Sequence, residues 1–330
     1  HHRLFEIRET WWMWCLLFVG VDFFYYWFHR LSHEVNVLWG AHIVHHQSEE
    51  YNLSVALRQS SFQGFFSMIF YLPLALIGFN PLAFVTINAF QTLYQFWIHT
   101  KTIHKLPGPV EFIFNTPSHH RVHHGRNPRY IDKNHGGTLI VFDRIFGTFQ
   151  KEDEEVVYGV TRPLQSWNPV WANVDYYVDL WRELKRPMRI ADRLRLLFAY
   201  PGWMPEHLGG YRPPPEVTAE TAEVFDTAIP RRHNAYILVH YLVILLATTL
   251  FLFEAEGLTR IMQWVVSAWI ILSIASIGLL SEGKRWTWYL EAIRLLLSIP
   301  LMAVLGASLP VIAGGAAFAI VLLFLVARIS

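Results

Sequence analysis

The sequence predicts an all-α integral membrane protein: a helical bundle with a histidine-rich cytosolic cap that holds a dimetal site. Hydrophobic residues make up 53% of the 330 residues and charged residues only 16%, proportions that suit a membrane protein better than a soluble enzyme. Several apolar runs approach the roughly 18 to 20 residues that a helix needs to cross a bilayer. Histidine clusters at helical spacing, the third observation, indicate a metal site.

Seven apolar segments carry the helix prediction, and a polar middle region separates the first three from the last four. The turn from Gly78 to Pro81 stops the second segment and starts the third, which predicts a helical hairpin. Because a hairpin returns the chain to the side that it left, His99 is expected beside the earlier histidine clusters. The segments are Trp11–Phe28, Phe65–Phe79, Leu82–Ile98, Tyr236–Phe253, Ile261–Leu280, Tyr289–Leu305 and Leu309–Ala327.

The polar middle region is expected to form the cap. It holds 18 of the 27 Lys and Arg, between His99 and Arg232, and basic segments stay on the cytoplasmic side. The β-prone segment within residues 137–150 predicts short strands. We therefore expect residues 1–230 to form a catalytic domain of membrane helices plus cap, and residues 231–330 to form C-terminal transmembrane helices. The basic stretch lacks an aromatic recognition pattern, so we do not expect nucleic acid as a partner. The apolar segments instead predict membrane lipids and a lipid substrate as partners.

Nine of the seventeen histidines fall in three clusters, and each cluster has a spacing that puts imidazoles on one helix face. A structural zinc site needs only four ligands. Nine clustered histidines exceed that number, so the sequence predicts two metal ions. The clusters are the pair His29 and His33, the trio His42, His45 and His46, and the quartet His119, His120, His123 and His124.

The identity of the metal is less constrained, since imidazole suits zinc, copper, iron and nickel alike. The single cysteine, Cys15, excludes a Cys-ligated iron–sulfur cluster and a Cys-rich zinc finger. The Glu-x-x-His motif of ferritin-like di-iron proteins does not occur in the sequence. These observations favour an all-histidine dimetal centre at the membrane surface, where two adjacent irons could share the electrons that O2 activation requires.

The segments around the clusters resemble the fatty acid hydroxylase (sterol desaturase) superfamily, and within it most closely the alkylglycerol monooxygenase family. The resemblance covers nearly the whole chain, including the region around Ser276–Leu280. The segments that carry it are Asp22–Arg30 (DFFYYWFHR), Leu31–Asn36 (LSHEVN), His42–Gln59, Tyr94–Thr100 (YQFWIHT), Asn115–Gly125 (NTPSHHRVHHG) and Ile131–Phe149 (IDKNHGGTLIVFDRIFGTF).

This resemblance implies a membrane di-iron monooxygenase of the endoplasmic reticulum, or of the inner membrane in a bacterium. With O2 and electrons from tetrahydrobiopterin, such an enzyme hydroxylates the carbon next to the ether oxygen of an alkylglycerol. The resulting hemiacetal collapses to a fatty aldehyde and glycerol or a glycerol derivative.

The resemblance also implies a ligand set. His119 and His104 are left open as ligands, and His135 stands where the family usually has Tyr, so a ligand role is not expected there. Glu34 is the candidate for pterin binding, with a helix-end carboxylate or a partner orienting His33 as the alternative. The implied metal ligands are His29, His33, His42, His45, His46, His99, His120, His123 and His124.

Other polar residues carry weaker expectations. Asp22 lies inside an apolar run, where an ionisable residue is costly, and is expected to orient a ligating histidine. Asp143 and Arg144 are expected to form a structural ion pair. Asn52 and the segment Arg58–Ser60 are candidates for contact with substrate or with the ligand shell. The isolated His207, His233 and His240 are expected at the surface or the membrane interface.

Two alternatives remain beside the ether-lipid enzyme. A hydroxylase or desaturase of a sterol, fatty acyl or other lipid would use the same di-iron centre, since the whole superfamily shares the cluster motifs. A metal transporter or sensor is disfavoured, because transport sites interrupt the membrane spans, whereas these histidines follow or precede the apolar segments.

Overall fold

The computed structural model of the chain describes residues 3–284, 286–306 and 308–327. Within these ranges all regular structure is helical, as predicted, and there is no strand. Two 3-10 helices, Glu206–Leu208 and Ala255–Gly257, supplement the α-helices. These are α1 (Trp11–Glu34), α2 (Asn36–His46), α3 (Leu53–Ala56), α4 (Gln63–Ile77), α5 (Pro81–Ile98), α6 (Gly108–Ile113), α7 (Pro117–His123), α8 (Val141–Phe146), α9 (Pro169–Leu184), α10 (Ile190–Phe198), α11 (Arg231–Glu254), α12 (Arg260–Leu280), α13 (Thr287–Val304) and α14 (Leu309–Ala327).

The chain divides into two compact units. The first comprises the residues up to Leu164 together with Asn173–Val224, and the second comprises Gln165–Ala172 and the residues from Phe225 onward. Helix α1 is central to the first unit and packs against α2, α4 and α5. Leu17 and Val21 on α1 are completely buried against Leu74 of α4, so apolar burial fixes these helices around α1.

The predicted hairpin is present and sets the position of His99. Helix α4 ends at Gly78, whose φ of 113° lies in the left-handed region that favours glycine. The Asn80 side chain then accepts a hydrogen bond from Leu82 N and caps α5. Since α4 and α5 both pack against α1, α5 carries His99, its C-cap residue, back to the end of α1 that bears histidines.

The expectation of strands within residues 137–150 is wrong, because this segment folds around a buried carboxylate. Asp143 accepts hydrogen bonds from the backbone N–H groups of His135 and Gly136 and from Thr148 Oγ1. These bonds hold the chain in a tight loop and in the short helix α8. Its C-cap residue, Gly147, has a φ of 76°. The remaining trace of sheet is an isolated bridge between Phe114 and Leu139.

The second unit contains the three described helices that are long and apolar enough to cross a membrane: Arg231–Gly257, Arg260–Leu280 and Thr287–Val304. In the first unit α4 has only 15 residues, and neither α1 nor α5 meets both requirements. Not every apolar segment of the sequence is therefore a full span on its own.

A buried polar network lies within these apolar helices. Arg294 donates to both carboxylate oxygens of Glu291 and to His240 Nδ1, and Tyr236 and Ser276 donate to Glu291 at 2.6 Å each. The expectation that His233 and His240 lie at the surface or the membrane interface is therefore wrong, because their side chains are only 9% and 2% exposed. His207, in contrast, is exposed as expected.

Candidate metal centre

The nine histidines implied as ligands come from the ends of four helices. His29 and His33 lie in the last two turns of α1, and the trio of the second cluster occupies the end of α2. His99 caps α5. His120, His123 and His124 lie at the end of α7. All nine side chains are buried, with at most 6% exposed.

Their imidazoles form two groups in which one ligand nitrogen of each residue lies within 4.8 Å of the others. In each His-x-x-His-His motif, the first and last histidines join one group and the middle one joins the other. The spacing explains this division, because residues four apart share a helix face and the adjacent residue points about 100° away. The five-histidine group is His29, His33, His42, His46 and His123, and the four-histidine group is His45, His99, His120 and His124.

Within each group the Nε2 atoms approach one another directly. In the five-histidine group, His42 Nε2 lies 3.0 Å from His29 Nε2 and 3.1 Å from His46 Nε2. In the four-histidine group, His120 Nε2 lies 2.9 Å from His99 Nε2 and 3.2 Å from His124 Nε2. Ligands at metal–nitrogen distances of about 2.0–2.1 Å and right angles are separated by about 3 Å, so the nitrogen spacing fits a metal ion.

In six of the nine ligand candidates an oxygen atom holds the outer ring nitrogen, which leaves the Nε2 lone pair directed inward. His33 Nδ1 donates to Asp132 Oδ1 at 3.2 Å and His42 Nδ1 donates to Gln63 Oε1 at 3.1 Å. Backbone carbonyls accept from four other ligand candidates, since His29, His45, His99 and His123 donate through Nδ1 to the carbonyls of His135, Arg58, Gln95 and Lys133. Such outer partners fix the tautomer and the ring orientation of a metal-binding histidine.

Burial lowers the pKa of most of the ligand imidazoles, such as His29 and His120. It lowers the pKa of His42 to about 3 and that of His99 to about 4. The pKa values of His45, His46 and His124 lie well below 6.5 because of burial and of the neighbouring imidazoles. A metal binds the neutral ring, so the protonation state fits the ligand role. The Nε2 atoms of His33 and His123 are buried without a hydrogen-bond partner, as expected of atoms reserved for a metal.

Three further histidines between residues 99 and 135 lie outside the two groups. His119 Nε2 lies 3.0 Å from Glu111 Oε2, so this ring is engaged by a carboxylate. His104 is exposed, and its backbone carbonyl accepts a bond from Arg121. His135 is fully buried beside the five-histidine group, with ring centroids 5.0 Å from His33 and 5.6 Å from His29, and neither ring nitrogen has a partner.

Glu34 lies at the end of α1, where Arg30 Nε donates to its carboxylate at 2.9 Å. Its role toward a pterin stays a prediction. Sequence reasoning missed Asp132 and Gln63 as partners of ligand candidates, since a lone loop residue and a helix-start glutamine carry no local signal. It did include Arg58, whose carbonyl contacts His45, whereas Asn52 caps α3 instead.

Asp22 and Asp143 both anchor backbone rather than metal ligands. Asp22 accepts from Gln91 Nε2 at 2.7 Å and from the N–H groups of Thr138 and Leu139 at 2.7 and 2.9 Å, so it does not orient a histidine ring as expected. The expected ion pair of Asp143 with Arg144 is wrong too, because Arg144 donates to the carbonyls of Phe112 and Glu111.

Two cavities reach the histidines from different sides. The cap-side cavity, of about 400 Å³, is lined by His33, His46, His123 and His124 and by parts of residues 125–132, 159–162, 175–176 and 200–214. The helix-side cavity, of about 420 Å³, is lined by His42, His45 and His99 and by side chains of α1, α4 and α5. The two linings share no residue.

Comparisons with known proteins agree with this geometry. The family described as fatty acid hydroxylase matches residues 14–148, a range that contains all nine ligand candidates. An alkylglycerol monooxygenase of Xenopus tropicalis is 43% identical over 301 residues, which is 90% of this chain and 67% of that protein. The human alkylglycerol monooxygenase is 40% identical over 91% of this chain and 68% of its own length. This chain thus spans about two thirds of the length of these relatives.

A more distant relative matches a shorter stretch of the chain. An ornithine lipid hydroxylase of Rhizobium tropici is 30% identical over 132 residues, 40% of this chain. No solved structure matches the chain significantly. Identity of 40% or more across nine tenths of the sequence, together with the histidine geometry, establishes that this chain belongs to the alkylglycerol monooxygenase family of fatty acid hydroxylases.

Proposed function

We propose that this chain is a membrane di-iron monooxygenase that hydroxylates the ether-adjacent carbon of alkylglycerols, with O2 and tetrahydrobiopterin as co-substrates. The observation that carries the proposal is the pair of adjoining histidine groups, each made of buried imidazoles whose ligand nitrogens lie within 4.8 Å of one another. The names of its relatives support the substrate class.

The nine grouped histidines are the proposed ligands of two iron ions. Histidine alone leaves the charge of the metals largely uncompensated, and the nearby Asp132 carboxylate partly offsets it through His33. Iron held by these imidazoles would supply the O2-activating redox chemistry. The chain itself orients six of the nine rings through their Nδ1 donors and shields every ring from bulk water by burial.

The helix-side cavity suits the lipid. Its walls combine apolar side chains such as Phe28, Met68 and Phe84 with the amide side chains of Gln59, Gln63 and Asn88. The lining contains no Asp, Glu, Lys or Arg. The outer faces of α4 and α5 expose large apolar residues to a lipid environment. An alkylglycerol would place its alkyl chain among the apolar side chains and its ether and hydroxyl oxygens near the amides, beside His42 and His45.

In the proposed reaction, one oxygen atom of O2 is inserted into the C–H bond next to the ether oxygen, and the other is released as water. Tetrahydrobiopterin supplies two electrons and two protons and becomes a dihydrobiopterin. The hemiacetal then breaks its carbon–oxygen bond to the glycerol side and yields a fatty aldehyde and glycerol or a glycerol derivative.

Membrane placement extends the proposal. The three apolar helices between Arg231 and Val304 suit a membrane and would anchor a catalytic domain formed by residues 1–230. The basic middle region favours a cytosolic metal site, in the endoplasmic reticulum of a eukaryote or the inner membrane of a bacterium.

The test is turnover by the purified full chain in lipid nanodiscs, supplied with ferrous iron under anaerobic conditions and then exposed to O2. We expect two irons per chain and a fatty aldehyde, detected by mass spectrometry, when both alkylglycerol and tetrahydrobiopterin are present. A parallel panel with a sterol and a fatty acyl lipid tests the alternative substrates. Folded protein with two irons that turns over a panel lipid but not the alkylglycerol would refute the ether-lipid proposal.

A further inference from the structure

The cap-side cavity differs from the helix-side cavity in the chemistry of its wall. It contains the carboxylates of Asp132 and Asp175 and the guanidinium groups of Arg126, Arg162 and Arg212, whereas the helix-side cavity has no such charge. The rest of its wall is largely apolar. The cap-side cavity therefore suits a ligand that combines a flat apolar body with polar groups placed to meet these charges.

Flat aromatic side chains make up another part of the same wall. Trp39, Tyr176 and Tyr200 line the cavity, and Trp39 also contacts His33, with ring centroids 5.0 Å apart. Aromatic faces bind planar heterocycles by stacking, and that contact does not depend on one particular ring substituent. The wall thus favours a planar ligand close to the five-histidine group.

Two polar groups in this cavity have unused hydrogen-bonding capacity. Arg126 is only 4% exposed, and its Nε has no hydrogen-bond partner, although Nη1 donates to the carbonyl of Val160 and Nη2 to that of Glu223. Asp175 accepts no hydrogen bond from any described residue, and the charges that act on it are those of Asp179, Arg162 and Arg182. A buried donor without an acceptor is costly, so a ligand with a carbonyl acceptor for Arg126 and an N–H edge for Asp175 would satisfy both.

We propose that the cap-side cavity binds the reductant, a planar reduced pterin with an amino–oxo pyrimidine edge, while the lipid occupies the helix-side cavity. This inference rests on the proposed function. It assigns Asp175 to the amino and N–H edge of the pterin, Arg126 to its carbonyl oxygen, and Tyr176 and Tyr200 to its faces. Glu34, the pterin candidate from the sequence, does not line this cavity, so this assignment takes the place of that prediction. Because the two cavities meet different histidines and share no wall, reductant and lipid bind at the same time and reach the metal groups from separate sides.

The chain offers matched variants for a test by direct binding. Asp175→Asn removes the charge without breaking a hydrogen bond in the protein, and Tyr200→Ala removes a partly exposed ring. On the other side, Gly64 lines the helix-side cavity, and an added Cβ there meets nothing within 4 Å. Gly64→Leu therefore adds bulk to that wall from a position where its Cβ is unobstructed.

The experiment measures two dissociation constants for the full chain in nanodiscs under anaerobic conditions. Tetrahydrobiopterin binding is followed by tryptophan fluorescence, and binding of a radiolabelled alkylglycerol is followed by filtration. We expect Asp175→Asn to raise the Kd of the pterin roughly tenfold or more, as for loss of a charge-assisted hydrogen bond, and Tyr200→Ala to raise it severalfold. Neither variant should change the Kd of the alkylglycerol or the thermal unfolding midpoint. Gly64→Leu, in contrast, should raise only the Kd of the alkylglycerol.

The outcomes separate this inference from the proposed function. If the wild-type chain does not bind the pterin, or if Gly64→Leu weakens pterin binding while Asp175→Asn does not, the cavity assignment is wrong. If the pterin binds with the expected variant pattern but no alkylglycerol is oxidised, the assignment stands and the proposed substrate fails. Competition between alkylglycerol and pterin for one site would also overturn the assignment.

Discussion

His45 and His46 are neighbours in the chain, yet their imidazoles belong to different histidine groups. The same holds for His123 and His124 in the second motif of this type. Adjacent residues on a helix point about 100° apart, so one short helix end serves two metal positions. This relationship makes the two groups separable by single substitutions.

We expect His45→Gln and His46→Gln to affect metal content unequally. His45→Gln leaves three histidines in the four-histidine group, whereas His46→Gln leaves four in the five-histidine group. His45→Gln should therefore reduce the iron content from two toward one per chain, and His46→Gln should retain more iron. Elemental analysis of purified protein, with Mössbauer spectroscopy of ⁵⁷Fe-loaded samples, measures this. His104→Ala, at an exposed position, is the control and should keep two irons. Equal loss of both irons in both variants would contradict independent groups.

Asp132 is expected to tune metal affinity through His33. Its φ of 56° is left-handed, so Asp132→Gly removes the acceptor of His33 Nδ1 without backbone strain, and Asp132→Asn keeps an oxygen acceptor. Loss of such an outer partner typically lowers metal affinity about 10- to 100-fold. Chelator competition should show this loss for the glycine variant and a smaller one for the asparagine variant. Identical affinities in the glycine variant and the wild type would exclude this role.

Gly137 is expected to be intolerant of a side chain. An added Cβ would overlap Gln91 Nε2 and Asp22 Oδ1, which form the buried bond that ties α1 to α5. Gly137→Ala should destabilise the protein by about 1–3 kcal/mol and disturb the neighbouring loop whose His135 carbonyl holds His29. Thermal unfolding and iron content report the effect. Gly108→Ala, where the added Cβ meets nothing within 4 Å, should behave like the wild type.

Loss of one partner of the Glu291–Arg294 pair is expected to destabilise the protein more than loss of both partners. Both side chains are at most 2% exposed, so Arg294→Met leaves a buried carboxylate unpaired and should cost about 3–5 kcal/mol. The double variant Glu291→Leu with Arg294→Met should recover part of this stability. Thermal unfolding in detergent compares them, with Ile293→Ala on the exposed side of α13 as control. A double variant less stable than Arg294→Met alone would contradict this account.

Helical periodicity explains how much of the site the sequence could predict. The spacing of His29 and His33, and of each His-x-x-His-His motif, determines which histidines lie on the same face of a helix. The sequence therefore predicted these shared faces directly. The hairpin between α4 and α5 followed from a glycine and proline turn, and it predicted that His99 joins the clusters. His119 could not be separated from His120 in this way, because the two are adjacent and only the position of Glu111 distinguishes them.

By itself, then, the sequence determined the all-helical class, the use of histidine for metal binding and the family, because these depend on composition, short-range spacing and motif identity. The tertiary structure decided which histidines share a group, and it showed that Asp132 and Gln63 orient two of the rings. It also decided that residues 141–146 form a helix around buried Asp143 and that two cavities flank the histidines, of which only the cap-side one has charged side chains in its wall. These features depend on contacts between residues far apart in the chain, which local spacing does not encode.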